Sequence, residues 1–181
     1  HHLTLKPHPA KFPHGMRWLA KRLKALGFKP GIWTVPFGTG SHEFYRAHKG
    51  WFLHDAQGQP LANWCGLYML DPSQARVRRH MRDTYRIMSR DWGYEFFKID
   101  GMSAGPGYSA HDYERSEVRA AFRNRCETPF AGCVRALRAG IGRTRVFLAC
   151  GGHFTGPEVG LADVARIGGD IVHPNAPPAW E

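Results

Sequence analysis

Lys98 and Asp100 stand two residues apart in the run Tyr94-Glu95-Phe96-Phe97-Lys98-Ile99-Asp100-Gly101. In an extended strand successive side chains alternate faces, so Phe97 and Ile99 point one way and Lys98 and Asp100 the other. A cation beside a carboxylate favours the charged form and fixes its direction, which a nucleophilic aspartate requires. The same arrangement also serves as a plain ion pair at a strand end, and this stretch alone leaves both readings open. Trp33, Asp71, Cys150 and Asp170 join the candidates because each, like Asp100, falls at the C-terminal end of a predicted strand.

The elements that must position these residues follow from periodicity. Met16, Leu19, Ala20, Leu23 and Leu26 recur at helical steps with basic residues between them, and Gly27 closes that helix. Phe28 to Val35 reads as a strand that carries Trp33 and is closed by Pro36. Residues 41–64 are irregular and rich in aromatics and histidines, a composition that fits either a functional loop or a satellite hydrophobic cluster. Leu67 to Leu70 is a short predicted strand ending at Asp71-Pro72. Val77, Met81, Tyr85 and Met88 mark one face of a helix running to about Arg90. Beyond Asp100, the glycine-rich loop 101–107 has no Gly-Lys-Ser/Thr ending and contains a proline, which excludes a nucleotide-binding turn. Helical spacing then covers Ser116 to Cys126 and, after a restart at Pro129, continues to Arg138. Arg145 to Cys150 is a buried-type strand, Val159 to Val164 a short helix, and Ala165 to Ile171 a strand that delivers Asp170.

The 181 residues suffice for one domain with a sizeable core, and a 43% hydrophobic fraction excludes overall disorder. The net charge of +10 comes largely from arginines spread along helical segments, which reads as a solvated helix face, so nucleic acid is not an expected partner. No apolar run is long enough for a membrane helix, no membrane partner is expected, and the N-terminal residues contain no apolar signal core. The four cysteines lack zinc-site spacing and the eleven histidines form no HExxH motif, so neither metal nor cofactor is expected. The cellular compartment and the oligomeric state are left open.

Alternation of strand and helix argues for parallel βαβ units in an α/β fold. Candidate residues gathered at the C-terminal strand ends point to a (β/α)8 TIM-type barrel, with a doubly wound open sheet as the alternative. A full barrel takes roughly 250 residues. Only five strands are legible, so the barrel is expected to be incomplete, with about strands 2 to 6 present over residues 1–181.

Four motifs occur in order at these strand ends: Gly31-Ile32-Trp33, Phe97-Lys98-Ile99-Asp100, Cys150-Gly151-Gly152 and Arg166-Ile167-Gly168-Gly169-Asp170. In type, order and separation they resemble the melibiase-type α-galactosidases of glycoside hydrolase families 27 and 36. The resemblance extends over nearly the whole chain and aligns Leu67 to Asp71 with the family's third barrel strand. It implies a retaining α-glycosidase, with Asp100 as nucleophile, Asp170 as general acid/base, and Lys98 and Arg166 holding sugar hydroxyls or orienting the carboxylates. Trp33 and Cys150 would line the sugar pocket, although core packing is an equally ordinary role for both residue types. The implied substrate is a terminal α-galactoside; a non-catalytic carbohydrate-binding domain on a degenerate barrel is the competing reading. The family's first strand carries an acidic pair followed by an aromatic, a segment with no counterpart before the first helix here. The seventh and eighth strands also lack counterparts. The chain is therefore expected to be a fragment of the catalytic domain, inactive in isolation.

Overall fold

The computed structural model describes residues 2–102, 109–151 and 159–166. Its centre is a four-stranded, all-parallel sheet of β1 (Gly31–Thr34), β4 (Phe96–Ile99), β5 (Val146–Cys150) and β6 (Val164–Arg166), in that spatial order. A separate antiparallel pair, β2 (Gly38–Thr39) and β3 (Tyr68–Met69), lies outside it. The parallel α/β architecture matches expectation. Among the described residues the sheet is open, and no closed barrel is formed.

One strand assignment is corrected. The segment read as a third barrel strand, Leu67 to Asp71, does not stand between β1 and β4, because Gly31 to Thr34 pair directly with Phe96 to Ile99. It turns back instead onto β2, with Met69 opposite Gly38. Asp71 is likewise no strand-end site residue. It is fully buried and its carboxylate accepts hydrogen bonds from Ser73 N and Oγ, Gln74 Nε2 and Arg123 N. A buried carboxylate is costly unless its lone pairs are filled, and four donors fill them.

That hub also explains why the helix predicted from Ser116 to Cys126 stops early, as α5 (Ser116–Ala120). The amide of Arg123 goes to Asp71 and that of Asn124 to Ser73 Oγ, so the backbone leaves the helical ladder. Near the C-terminal end, Val159 to Val164 is not helical, since β6 begins at Val164. Asp163 forms the corner before it, accepting from Phe147 N at 2.8 Å and from Arg138 at 2.9 Å.

Helices cover one face of the sheet. α3 (Ala75–Arg86) buries Val77, Met81 and Tyr85 of the row its periodicity marks, together with Thr84, and α6 (Pro129–Ile141) buries Phe130, Cys133, Val134 and Leu137. Tyr85 packs on Phe97 with ring centroids 5.9 Å apart. After α3 the chain widens into a π-helical turn, Ile87–Asp91, and Ser89 Oγ donates to the Ile141 carbonyl at 2.8 Å. The first helix, α1 (Gly15–Ala25), ends as predicted before Gly27, whose φ of +85° suits only glycine. α2 (His42–Ala47) opens the aromatic segment, in which Phe44, Phe52 and Leu53 are buried and Tyr45 stacks on Tyr68 at 4.3 Å. Residues 41–64 are thus no satellite: Phe44, Phe52 and Leu53 belong to the same hydrophobic cluster as Met81, Tyr85 and Phe97.

Candidate active site

The register decides which side chains meet. Trp33, Lys98, Leu148 and Val164 are level neighbours across the four strands, and paired residues of a parallel sheet point to the same face. Two residues further along, Cys150 pairs with Arg166, and continuing the register brings Asp100 level with both. Trp33, Lys98, Asp100, Cys150 and Arg166 therefore share the face opposite the helices, at the C-terminal end of the sheet. Five of the six candidate residues come together; Asp170 lies outside the described residues.

Asp100 is the best-defined group among them. The Trp33 indole Nε1 donates to its Oδ2 at 2.9 Å, and the Gly101 amide donates to Oδ1 at 2.9 Å. Cys150 stands beside the same carboxylate on the neighbouring strand. The donors that fix its direction are thus the indole and the amide, in place of the Lys98 ammonium anticipated from spacing. A carboxylate offers about four lone-pair sites, so acceptor capacity remains toward the open side. Gly101 can supply its amide because its φ of +78° turns the chain sharply off the strand end.

Burial pushes the Cys150 thiol up, and the neighbouring Asp100 carboxylate pushes it further, with Arg166 and Lys98 pulling back. Cys150 is fully buried and Lys98, Asp100 and Arg166 are half-buried. Trp33 is 57% exposed, which excludes the core-packing role for it. Its strand is held from behind by a buried pair that periodicity alone did not single out: Thr34 Oγ1 and the Tyr85 hydroxyl share a hydrogen bond. Burial raises the Tyr85 phenol, which stays neutral and hydrogen-bonded. The available signal was a threonine at an inward strand position, where its hydroxyl needs a partner. Among the described residues no cluster of histidine, cysteine or carboxylate side chains could hold a metal ion, and no helix is long and apolar enough to cross a membrane.

No family model matches the sequence. The Dictyostelium discoideum protein named "Probable alpha-galactosidase" is 29% identical over a region covering 56% of this chain and 29% of that protein. The α-galactosidase of Thermus thermophilus, solved in complex with p-nitrophenyl α-D-galactopyranoside, superposes with a TM-score of 0.63 at 28% identity, covering 87% of this chain and 30% of that one. The chain is melibiase-like. A family 36 α-galactosidase of Geobacillus stearothermophilus, in complex with stachyose, shares the fold at a TM-score of 0.58 and 24% identity, covering 80% of this chain and 20% of that one. This melibiase-like chain spans about 30% of the length of the first two proteins.

Proposed function

We propose that residues 1–181 form part of a (β/α)8 catalytic domain of a retaining α-glycosidase whose substrate is a terminal α-galactoside. The observation that carries this reading is the tethered carboxylate of Asp100, held by Trp33 and Gly101 on the open face of the sheet. The likeness to the Thermus thermophilus enzyme, solved with an α-galactoside, supports the substrate class.

In this reading Asp100 attacks the anomeric carbon while Asp170 gives its proton to the departing glycosidic oxygen, so the carbon–oxygen bond to the aglycone breaks as the glycosyl–aspartate ester forms. Water then attacks the same carbon and passes a proton to Asp170, which releases the sugar and restores both carboxyl groups. Retention requires the two carboxyl groups to lie about 5–5.5 Å apart. Lys98 and Arg166 supply cationic donors for sugar hydroxyls, Cys150 lines the pocket beside Asp100, and the exposed indole of Trp33 forms its wall. No cofactor takes part in these steps.

Covalent trapping tests the assignment. An activated fluorinated α-galactosyl fluoride, incubated with the protein that contains this chain, is expected to leave a glycosyl adduct on the peptide bearing Asp100. Asp100→Ala is expected to abolish both the adduct and the hydrolysis of an aryl α-galactoside, a loss of about a thousandfold or more. Hydrolysis that survives Asp100→Ala, or an adduct on another residue, overturns the reading and leaves the non-catalytic binding domain in its place.

A further inference from the structure

The helix layer carries a second concave feature, separate from the Asp100 face. α3 and α6 press together near their C-terminal ends, where a Cβ on Gly140 would lie 2.3 Å from the Arg82 carbonyl oxygen. Toward their N-terminal ends a groove of about 610 Å³ opens between them and the turn that precedes α6. Arg78, Arg79, Arg82, Arg125 and Arg135 line it, and none of its lining residues is acidic. Arg82 lies four residues from Arg78 and three from Arg79, so on the surface of α3 it neighbours both.

Two of these arginines pair with carboxylates outside the groove, Arg82 with Asp83 at 3.0 Å and Arg125 with Glu127 at 3.3 Å. Both pairs are solvent-exposed and so weak enough to yield to a stronger anion. Arg78 lies across α6 at Gly132, where an added Cβ would sit 3.3 Å from the Arg78 Cδ. Glycine inside a helix sacrifices helix stability, and here its bareness is what lets the guanidinium stem lie against α6. Arg78 also donates to the Pro72 carbonyl; guanidinium groups lining one groove repel one another until an anion enters, and their planar forks suit phosphate oxygens two at a time.

We propose that this groove binds a compact, multiply phosphorylated anion through Arg78, Arg79 and Arg135. Its volume falls in the range of small-ligand sites. Closure of one end by the Gly140 contact favours a compact ligand over a polymer passing through.

Calorimetric titration of the full chain with inorganic tripolyphosphate tests this. Saturable one-to-one binding is expected, weakened at least about tenfold by Arg79→Glu combined with Arg135→Glu, as loss of charge-assisted hydrogen bonds requires. Arg46→Glu combined with Arg143→Glu makes the same change in net charge at exposed positions outside the groove, and it should leave the affinity within about twofold, as screened distant charges allow. Circular dichroism melting of both variants separates lost binding from lost folding. Three results would sink the proposal: equal weakening by both variant pairs, sulfate binding as tightly as tripolyphosphate, or a DNA oligonucleotide displacing tripolyphosphate at a lower phosphate concentration. The last would make the groove a nucleic-acid surface.

Discussion

The two faces of the parallel sheet are built from the same strands and have opposite characters. On the helix side Phe97, Ile99, Phe147 and Ala149 are completely buried. One residue along each strand, the other face carries Lys98, Asp100 and Trp33, the last more than half exposed. Strand alternation thus lets four short segments separate their tasks by parity: one set of positions supplies cohesion, the other carries the polar groups of the proposed site. Changes on the helix face should therefore cost stability, whereas changes on the open face should cost function at constant stability.

The sharpest way to break this comparison is Phe97→Ala. Phe97 packs against Tyr85 at the centre of the helix-covered face, and its truncation is expected to destabilise the chain by about 3–5 kcal/mol, read from urea unfolding midpoints. A cost below about 1 kcal/mol would mean that the helix face is not the source of cohesion. Gly140→Ala probes the same side from the helix layer. Alanine gains about 1 kcal/mol in helix propensity over glycine, but its Cβ would meet backbone at 2.3 Å and the Tyr85 Cβ at 2.9 Å, which side-chain rotation cannot relieve. Overpacking of this kind costs typically about 1–3 kcal/mol, so net destabilisation is expected, and a stabilised variant would show that α3 and α6 are free to separate.

How much of this was legible in the sequence depended on whether the signal was local. The parity of Lys98 and Asp100, the position of Trp33 at a strand end, and the buried rows of α3 and α6 all follow from period-two and period-three-to-four patterns, and the structure has them. Pairing partners were not legible. Tyr68 and Met69 have ordinary strand character, and nothing in their own neighbourhood says that they pair with Gly38 and Thr39 rather than join the main sheet. Asp71 misled for the same reason: a carboxylate after a strand reads as a site, and its role depends on the amide of Arg123, fifty-two residues away. The early end of α5 and the start of β6 at Val164 are equally tertiary in origin, set by Asp71 in one case and Asp163 in the other. The donors on Asp100 were half legible, since Gly101 follows it directly, whereas the Trp33 indole reaches it from a strand sixty-seven residues earlier.

Trp33→Phe sharpens the open side of the comparison. It keeps an aromatic ring on the exposed face, smaller than the indole, and removes the N–H that donates to Asp100 Oδ2. A hydrogen bond to a charged group contributes about 1.5–3 kcal/mol, so on the proposed reading turnover of an aryl α-galactoside by the protein that contains this chain should fall about tenfold to a hundredfold, with the loss mainly in kcat. Because the indole is mostly exposed, water can take the place of its N–H in the resting protein, so stability should change by less than about 1 kcal/mol. Loss of stability in step with activity would erase the distinction between the faces.

The smallest expected effect lies at the opposite end of the same strands. Glu95 precedes β4 and sits between two cations, Lys24 at 2.6 Å and Arg145 at 3.1 Å, so it ties α1 to the start of β4 and to the residue before β5. The hydrogen bond from Lys24 is the main influence that holds its carboxyl below the usual glutamate range, with the charges of Lys24, Arg145 and Lys29 adding to it against the cost of burial. A carboxylate depressed on folding contributes stability that is fully present above its unfolded value, about 4.3 for glutamate, and that is lost as pH falls through the lower folded value. Partly exposed pairs of this kind are worth about 0.2–1 kcal/mol and are screened by salt. Glu95→Gln should therefore lower the urea midpoint slightly at neutral pH and low salt. The gap from the parent should close both in strong acid and at high salt. A gap that persists in acid would assign the effect of Glu95 to packing of its side chain and not to its charge.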